Sequence, residues 1–101
     1  MIVNANATIA SGASLGDLVL VNRGATVGHD CRLAAFTNIG PGANLASFVE
    51  TGDGAVVGIG ATVIDKVSLG AGCFVAGGAV VLRGVEPGTL VAGVPAEAKN
   101  D

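Results

Sequence analysis

Aliphatic residues return at every sixth position of this chain. Stepping from Val3 gives Ile9, Leu15, Val21, Val27, Leu33, Ile39, Leu45, Thr51, Val57, Val63, Leu69, Val75 and Val81, and only Thr51 is polar. Two positions before each stands a small residue, in a series that runs from Ala7, Ala13, Val19, Ala25, Cys31 and Thr37 to Ala79 and Val85. The register runs through without an insertion. A small inward residue, a variable outward one and an aliphatic inward one form the period-two signature of a short strand. A turn after every third residue or so leaves no room for hairpins. Such strands stack as rungs of a parallel β-helix, three to a triangular coil, and residues eighteen apart then lie about 4.8 Å above one another. The pattern predicts an all-β triangular prism of hexapeptide repeats with about five coils. An α-helix would need apolar residues at three- and four-residue spacing, and 17 glycines would weaken it.

Columns read at eighteen-residue spacing agree. Gly24, Gly42, Gly60 and Gly78 fall on one corner, where glycine takes a positive φ cheaply. Arg32 stacks over Glu50 on the outer surface, a pair worth only tenths of a kcal/mol. The outward column Ile2, Leu20, Asn38, Val56, Phe74 and Ala92 is apolar except at Asn38, and a contiguous apolar stripe marks a contact surface. Thr8, Thr26, Asn44 and Thr62 form another outward column. Its neighbours Asn6, Gly24, Gly42 and Gly60 supply no second threonine ladder, which argues against ice binding.

Composition narrows the function. Half the residues are hydrophobic but aromatics are 3%, so the core is built from small aliphatic side chains. Five basic residues, no basic cluster and a net charge of −3 argue against nucleic acid. Cys31 and Cys73 lack CxxC spacing and occupy inward positions, as core thiols do. No apolar run approaches the ~18 residues of a membrane span, and the expected setting is the cytoplasm. The repeat begins almost at the first residue, so residues 1–101 are expected to be one β-helix domain.

The single histidine lies in "VGHDCR". Val27 and Cys31 point inward and Arg32 outward, so His29 and Asp30 are the two corner residues. Their edge carries Ser11, His29, Ser47, Asp65 and Arg83. The residues alone leave two readings, a solvated turn histidine or a base beside an acid. A zinc site of three histidines between subunits, as in gamma-class carbonic anhydrases, would need a threefold axis at that corner, so no metal is expected.

The repeats "IGPGAN", "VGIGAT" and "LGAGCF" resemble the left-handed parallel β-helix of hexapeptide-repeat acyltransferases over nearly the whole chain. The left hand is implied by that resemblance. "VNRGATVGHDC", "IGPGANLAS", "VGIGATVI" and "VEPGTLVAGVPA" are similar to sugar O- and N-acetyltransferases, including those that act on sialic acid or nucleotide-linked 4-amino sugars. The resemblance implies an acetyl-CoA-dependent acetyltransferase acting on an amino or hydroxyl group of a sugar or nucleotide sugar. It implies a homotrimer of parallel prisms with acetyl-CoA in the cleft between neighbours. It makes His29 the catalytic base, with Asp30 as its acidic neighbour, and the Ser47 main-chain amide an oxyanion donor. Asn38 stands where relatives often carry a second histidine near the acetyl group, and Gly58, Gly60 and Gly77 give a pantetheine arm access to the backbone. Three departures stand out. Gly28 replaces a glutamate common before the histidine. Glu97 replaces the usual basic residue after Pro-Ala, which leaves Arg83 or Lys99 for the cofactor phosphates. The nucleotide-sugar-binding βαβ domain that usually precedes the helix has no counterpart in residues 1–101. The alternative function is a scaffold or trimerisation domain, natural or engineered.

Overall fold

A computed structural model describes residues 1–99; the last two residues of the expected 1–101 domain lie outside the described residues. As far as Val81 its strands pair in parallel with partners eighteen positions away, and they form three faces of a left-handed β-helix of about five coils. The first face stacks Ile2–Val3, Leu20–Val21, Asn38–Ile39, Val56–Val57, Phe74–Val75 and Leu90–Ala92. The second stacks Thr8–Ile9, Thr26–Val27, Asn44–Leu45, Thr62–Val63 and Val80–Val81. The third stacks Ser14–Leu15, Arg32–Leu33, Glu50–Thr51 and Ser68–Leu69. The prism measures 35 × 20 × 20 Å. We call the edge between the first and second faces the first edge, that between the second and third the second edge, and the remaining one the third.

The sequence pattern explains the core. Both inward positions are buried in every rung from Val19 to Val85, because each is covered by the coils above and below. At the open N-terminal end nothing stacks beneath the first coil, so Val3 is exposed and Ile9 and Leu15 are half-buried. Gly24, Gly42, Gly60 and Gly78 take φ of 68, 67, 66 and 71°, as their column requires. Arg32 and Glu50 lie in register, but among the described residues their charged ends form no ion pair.

The polar break at Thr51 is satisfied inside the core. Thr37 donates its hydroxyl to Ala34 O at 2.8 Å, and the Thr51 hydroxyl lies 2.7 Å from Thr37 Oγ1 while accepting from Ala34 N at 3.2 Å. Thr37→Val leaves the Thr51 hydroxyl without its buried acceptor and is expected to cost about 1–3 kcal/mol in urea denaturation. The double variant Thr37→Val/Thr51→Val removes both hydroxyls and should cost no more than the single one.

The register differs from the sequence reading at the C-terminal end. Val75 pairs with Val91 and Leu69 bridges to Val85, each sixteen positions apart rather than eighteen. Only Leu82, Arg83 and Gly84 connect Val81 to Val85, where other corners use five residues. Val85 therefore sits in the aliphatic column above Leu69, not in the small-residue column. Leu90, not Ala92, caps Phe74 on the first face, and Ala92 instead pairs antiparallel with Glu97 in Glu97–Ala98. Arg83 correspondingly occupies a bend and does not continue the Asp65 turn. The shortened corner and the returning strand enclose an open cavity of about 390 Å³ lined by Leu82, Arg83, Glu86, Pro95, Ala96 and Glu97.

Candidate active site

His29 and Asp30 are the two turn residues of the second edge, and Asp30 has φ of 59°. That left-handed turn brings its carboxylate back towards the histidine. His29 Nδ1 lies 3.0 Å from Asp30 Oδ2. A carboxylate only accepts, so Nδ1 is the donor of this bond, and in the neutral imidazole it is Nε2 that carries the lone pair. The two side chains are 53% and 50% exposed. A pair so open adds at most about 1 kcal/mol to folding, and its consequence is orientation. The other Asp30 oxygen lies over Gly12, where a Cβ would collide with it. A side chain at this position would push the carboxylate off its place beside the histidine.

Ser47 occupies the same turn position one coil on. Phe48 N donates to His29 O at 3.0 Å, which ties the two turns together. The Ala46–Ser47 peptide is fixed from inside the prism, where Cys31 Sγ donates to Ala46 O at 3.0 Å. A trans peptide directs its N–H opposite to its C=O. Ser47 N–H therefore points away from the core, and among the described residues it has no acceptor. Gly28 packs against this same peptide. A Cβ there would lie 2.5 Å from Ala46 O and 2.9 Å from Ser47 N, so the position before His29 admits no side chain. Both thiols are buried, and that burial pushes their pKa up, as expected of core cysteines.

The remaining expected site residues lie elsewhere on the prism. Asn38 is on the first face, opposite the second edge, where its Oδ1 accepts from Asn22 Nδ2 at 3.1 Å. Gly60 and Gly77 are on the first edge, with Gly58 just before it. A Cβ at Gly58 would lie 2.7 Å from Val75 O, so coil packing already requires that glycine. One chain thus unites His29, Asp30 and Ser47 but keeps them apart from Asn38, Gly58, Gly60 and Gly77. Two neighbours of the histidine were not singled out from the sequence, Gly12 under Asp30 and Phe48, whose ring lies 5.2 Å from the imidazole. The eighteen-residue spacing that puts Gly12 and Phe48 in Asp30's own column, next to that of His29, was the available signal.

The repeat, the hand and the stacked register define a hexapeptide-repeat β-helix, and the solved structures that match it include acetyltransferases of that architecture. A histidine-to-asparagine mutant of perosamine N-acetyltransferase from Caulobacter crescentus, in complex with CoA and GDP-perosamine, matches with a TM-score of 0.86. Its identity is 34%, over 98% of this chain and 56% of that one. The acetyltransferase domain of PglB from Neisseria gonorrhoeae, in complex with acetyl coenzyme A, matches at 0.81 and 29% identity, over 96% and 56%. Neisseria gonorrhoeae serine acetyltransferase matches at 0.89 and 25% identity, over 94% and 41%. The chain thus spans little more than half the length of the first two. No protein-family model and no curated protein matches it.

Proposed function

We propose that this chain is the acetyl-transferring β-helix of an acetyl-CoA-dependent sugar acetyltransferase, acting on an amino or hydroxyl group of a sugar or nucleotide sugar. The observation that carries the reading is the second edge itself. It holds an imidazole paired with a carboxylate at 3.0 Å, one coil from an outward N–H that has no acceptor among the described residues. The similarity to acetyltransferases solved with CoA, acetyl coenzyme A and GDP-perosamine supports it.

The chemistry follows from those groups. The acceptor nitrogen or oxygen attacks the thioester carbonyl carbon while His29 Nε2 takes its proton, the task for which imidazole is suited near neutrality. Asp30 Oδ2 accepts from Nδ1 and stabilises the imidazolium that forms. The carbonyl oxygen becomes an oxyanion facing Ser47 N–H. Collapse breaks the carbon–sulfur bond, the acetyl group stays on the acceptor, and the proton on Nε2 passes to the departing CoA sulfur. Positioning of the two substrates supplies much of the rate.

A homotrimer completes this site. Phe74 and Leu90 are 48% and 41% exposed on the first face, with Ile2 at 61%. Packing that face against a second copy covers the stripe and brings Asn38, Gly58, Gly60 and Gly77 of one chain towards His29 of the next. Arg83, beside the C-terminal cavity, is the candidate for the cofactor phosphates, with Lys99 as the alternative. The cytoplasm, which supplies acetyl-CoA, is the setting this reading assigns. Phe74→Glu places a charge in the covered stripe and is expected to shift the chain from trimer to monomer in sedimentation. A monomeric wild-type chain at micromolar concentration would overturn the assembly. The function is tested by mixing the chain with acetyl-CoA and a panel of free and nucleotide-linked amino sugars and following the thiol released.

A further inference from the structure

We propose that Phe48 is a positioning residue that holds the His29 imidazole in its reactive orientation, an inference that rests on His29 being the base. The rings lie 5.2 Å apart, centroid to centroid, at 82°, the edge-to-face arrangement that aromatic pairs favour. Asp30 restrains one end of the imidazole through Nδ1. A half-exposed ring held by one hydrogen bond still swings along the edge, and Phe48 closes that path from the next coil. The two residues are already linked through the backbone, Phe48 N to His29 O at 3.0 Å, so the phenyl ring starts from a fixed point.

Neither the turn nor the core demands an aromatic ring at Phe48. Its φ is 61°, a left-handed conformation that costs a bulky residue free energy and glycine none. On the same edge Gly12 takes that turn position without a side chain, so the turn itself does not require an aromatic. Nor does the core, since Phe48 is 48% exposed. Leu18, Phe36 and Lys66 take the same left-handed conformation at equivalent turn positions, so it is the edge-to-face placement against the imidazole, and not φ, that distinguishes Phe48. The same ring walls a cleft shared with Gly12, Asp30, Arg32 and Glu50, on the Asp30 side of the pair.

His29 is the only histidine, so its ring protons give one unambiguous pair of NMR signals. In the wild-type chain those signals are expected to be displaced by the phenyl ring current, and Phe48→Leu and Phe48→Gly should lose that displacement. Phe48→Gly is expected to lower kcat about tenfold, as a small misplacement of a catalytic group does. KM for acetyl-CoA should stay within about twofold, the signature of an interaction made in the transition state. Phe48→Tyr should restore both the displacement and kcat, and Phe48→Gly should melt close to wild type because it relieves the left-handed strain. Identical histidine signals in wild type and Phe48→Gly would overturn the proposal, and so would an unchanged kcat once the displacement is gone. A wild-type chain that transfers no acetyl group would sink the base reading itself, and the catalytic role assigned to Phe48 with it. The NMR comparison would then still report on the ring contact by itself.

Discussion

His29→Ala is expected to lower kcat for acetyl transfer by about 10²–10⁴-fold, the range for loss of a general base. No other side chain at this corner replaces it. Asp30 keeps its carboxylate but no imidazole remains to take the acceptor's proton, and Ser47 offers a hydroxyl without an acidic partner. Folding and assembly should be intact. The imidazole is half exposed, its pairing with Asp30 adds little to stability, and it lies away from the apolar first face. KM for acetyl-CoA should change little, because the base meets the acceptor's proton. Steady-state kinetics with sedimentation as a control checks this. Full activity in the variant would reduce His29 to a solvated turn residue.

Gly28→Ala is expected to damage both the fold and the reaction. The added Cβ would sit 2.5 Å from Ala46 O, 2.6 Å from Ala46 C and 2.9 Å from Ser47 N. All three are backbone atoms, so the corner itself must move, and Cys31 holds the same peptide from inside at 3.0 Å. Overpacking of this kind costs about 3 kcal/mol at the upper end of its usual range. Any displacement also turns Ser47 N–H away from the oxyanion, and losing one such donor costs about 10²–10³ in kcat. Gly42→Ala is the control. Its Cβ meets nothing within 4 Å at φ of 67°, so it should show conformational strain alone and unchanged kinetics. Equal effects from the two variants, read by urea denaturation and kcat, would mean that the close approach at Gly28 does not matter.

The period of six made the faces legible because each rung contributes two buried positions, and burial is what a hydrophobic pattern records. The same argument put His29 and Asp30 on a corner. It left open whether they face each other, since that depends on the φ of Asp30, and a sequence pattern does not record the direction of a corner side chain. The shortened last coil was hidden for a related reason. Valine already serves the small column at Val19, Val49 and Val67, so Val85 fits either inward column, and the loss shows only one step later, where Pro87 and Gly93 fall at the aliphatic positions and Val91 takes over the series. Phe48 escaped notice as a neighbour of His29 because their contact is made between coils, nineteen positions apart, with both side chains on the solvent side. Gly28 read as a departure from a resemblance, whereas the backbone of the next coil leaves that position no room for a side chain.

Acetyl transfer at the second edge is tested most directly by incubating the wild-type chain, confirmed as a trimer, with acetyl-CoA and nucleotide-linked amino sugars. Released CoA thiol and the mass of the acceptor are followed together. The expected result is thiol release that depends on the acceptor and equals the acetylated sugar formed. Thiol release no faster than hydrolysis in buffer, with every amino and hydroxyl acceptor tried, would contradict it.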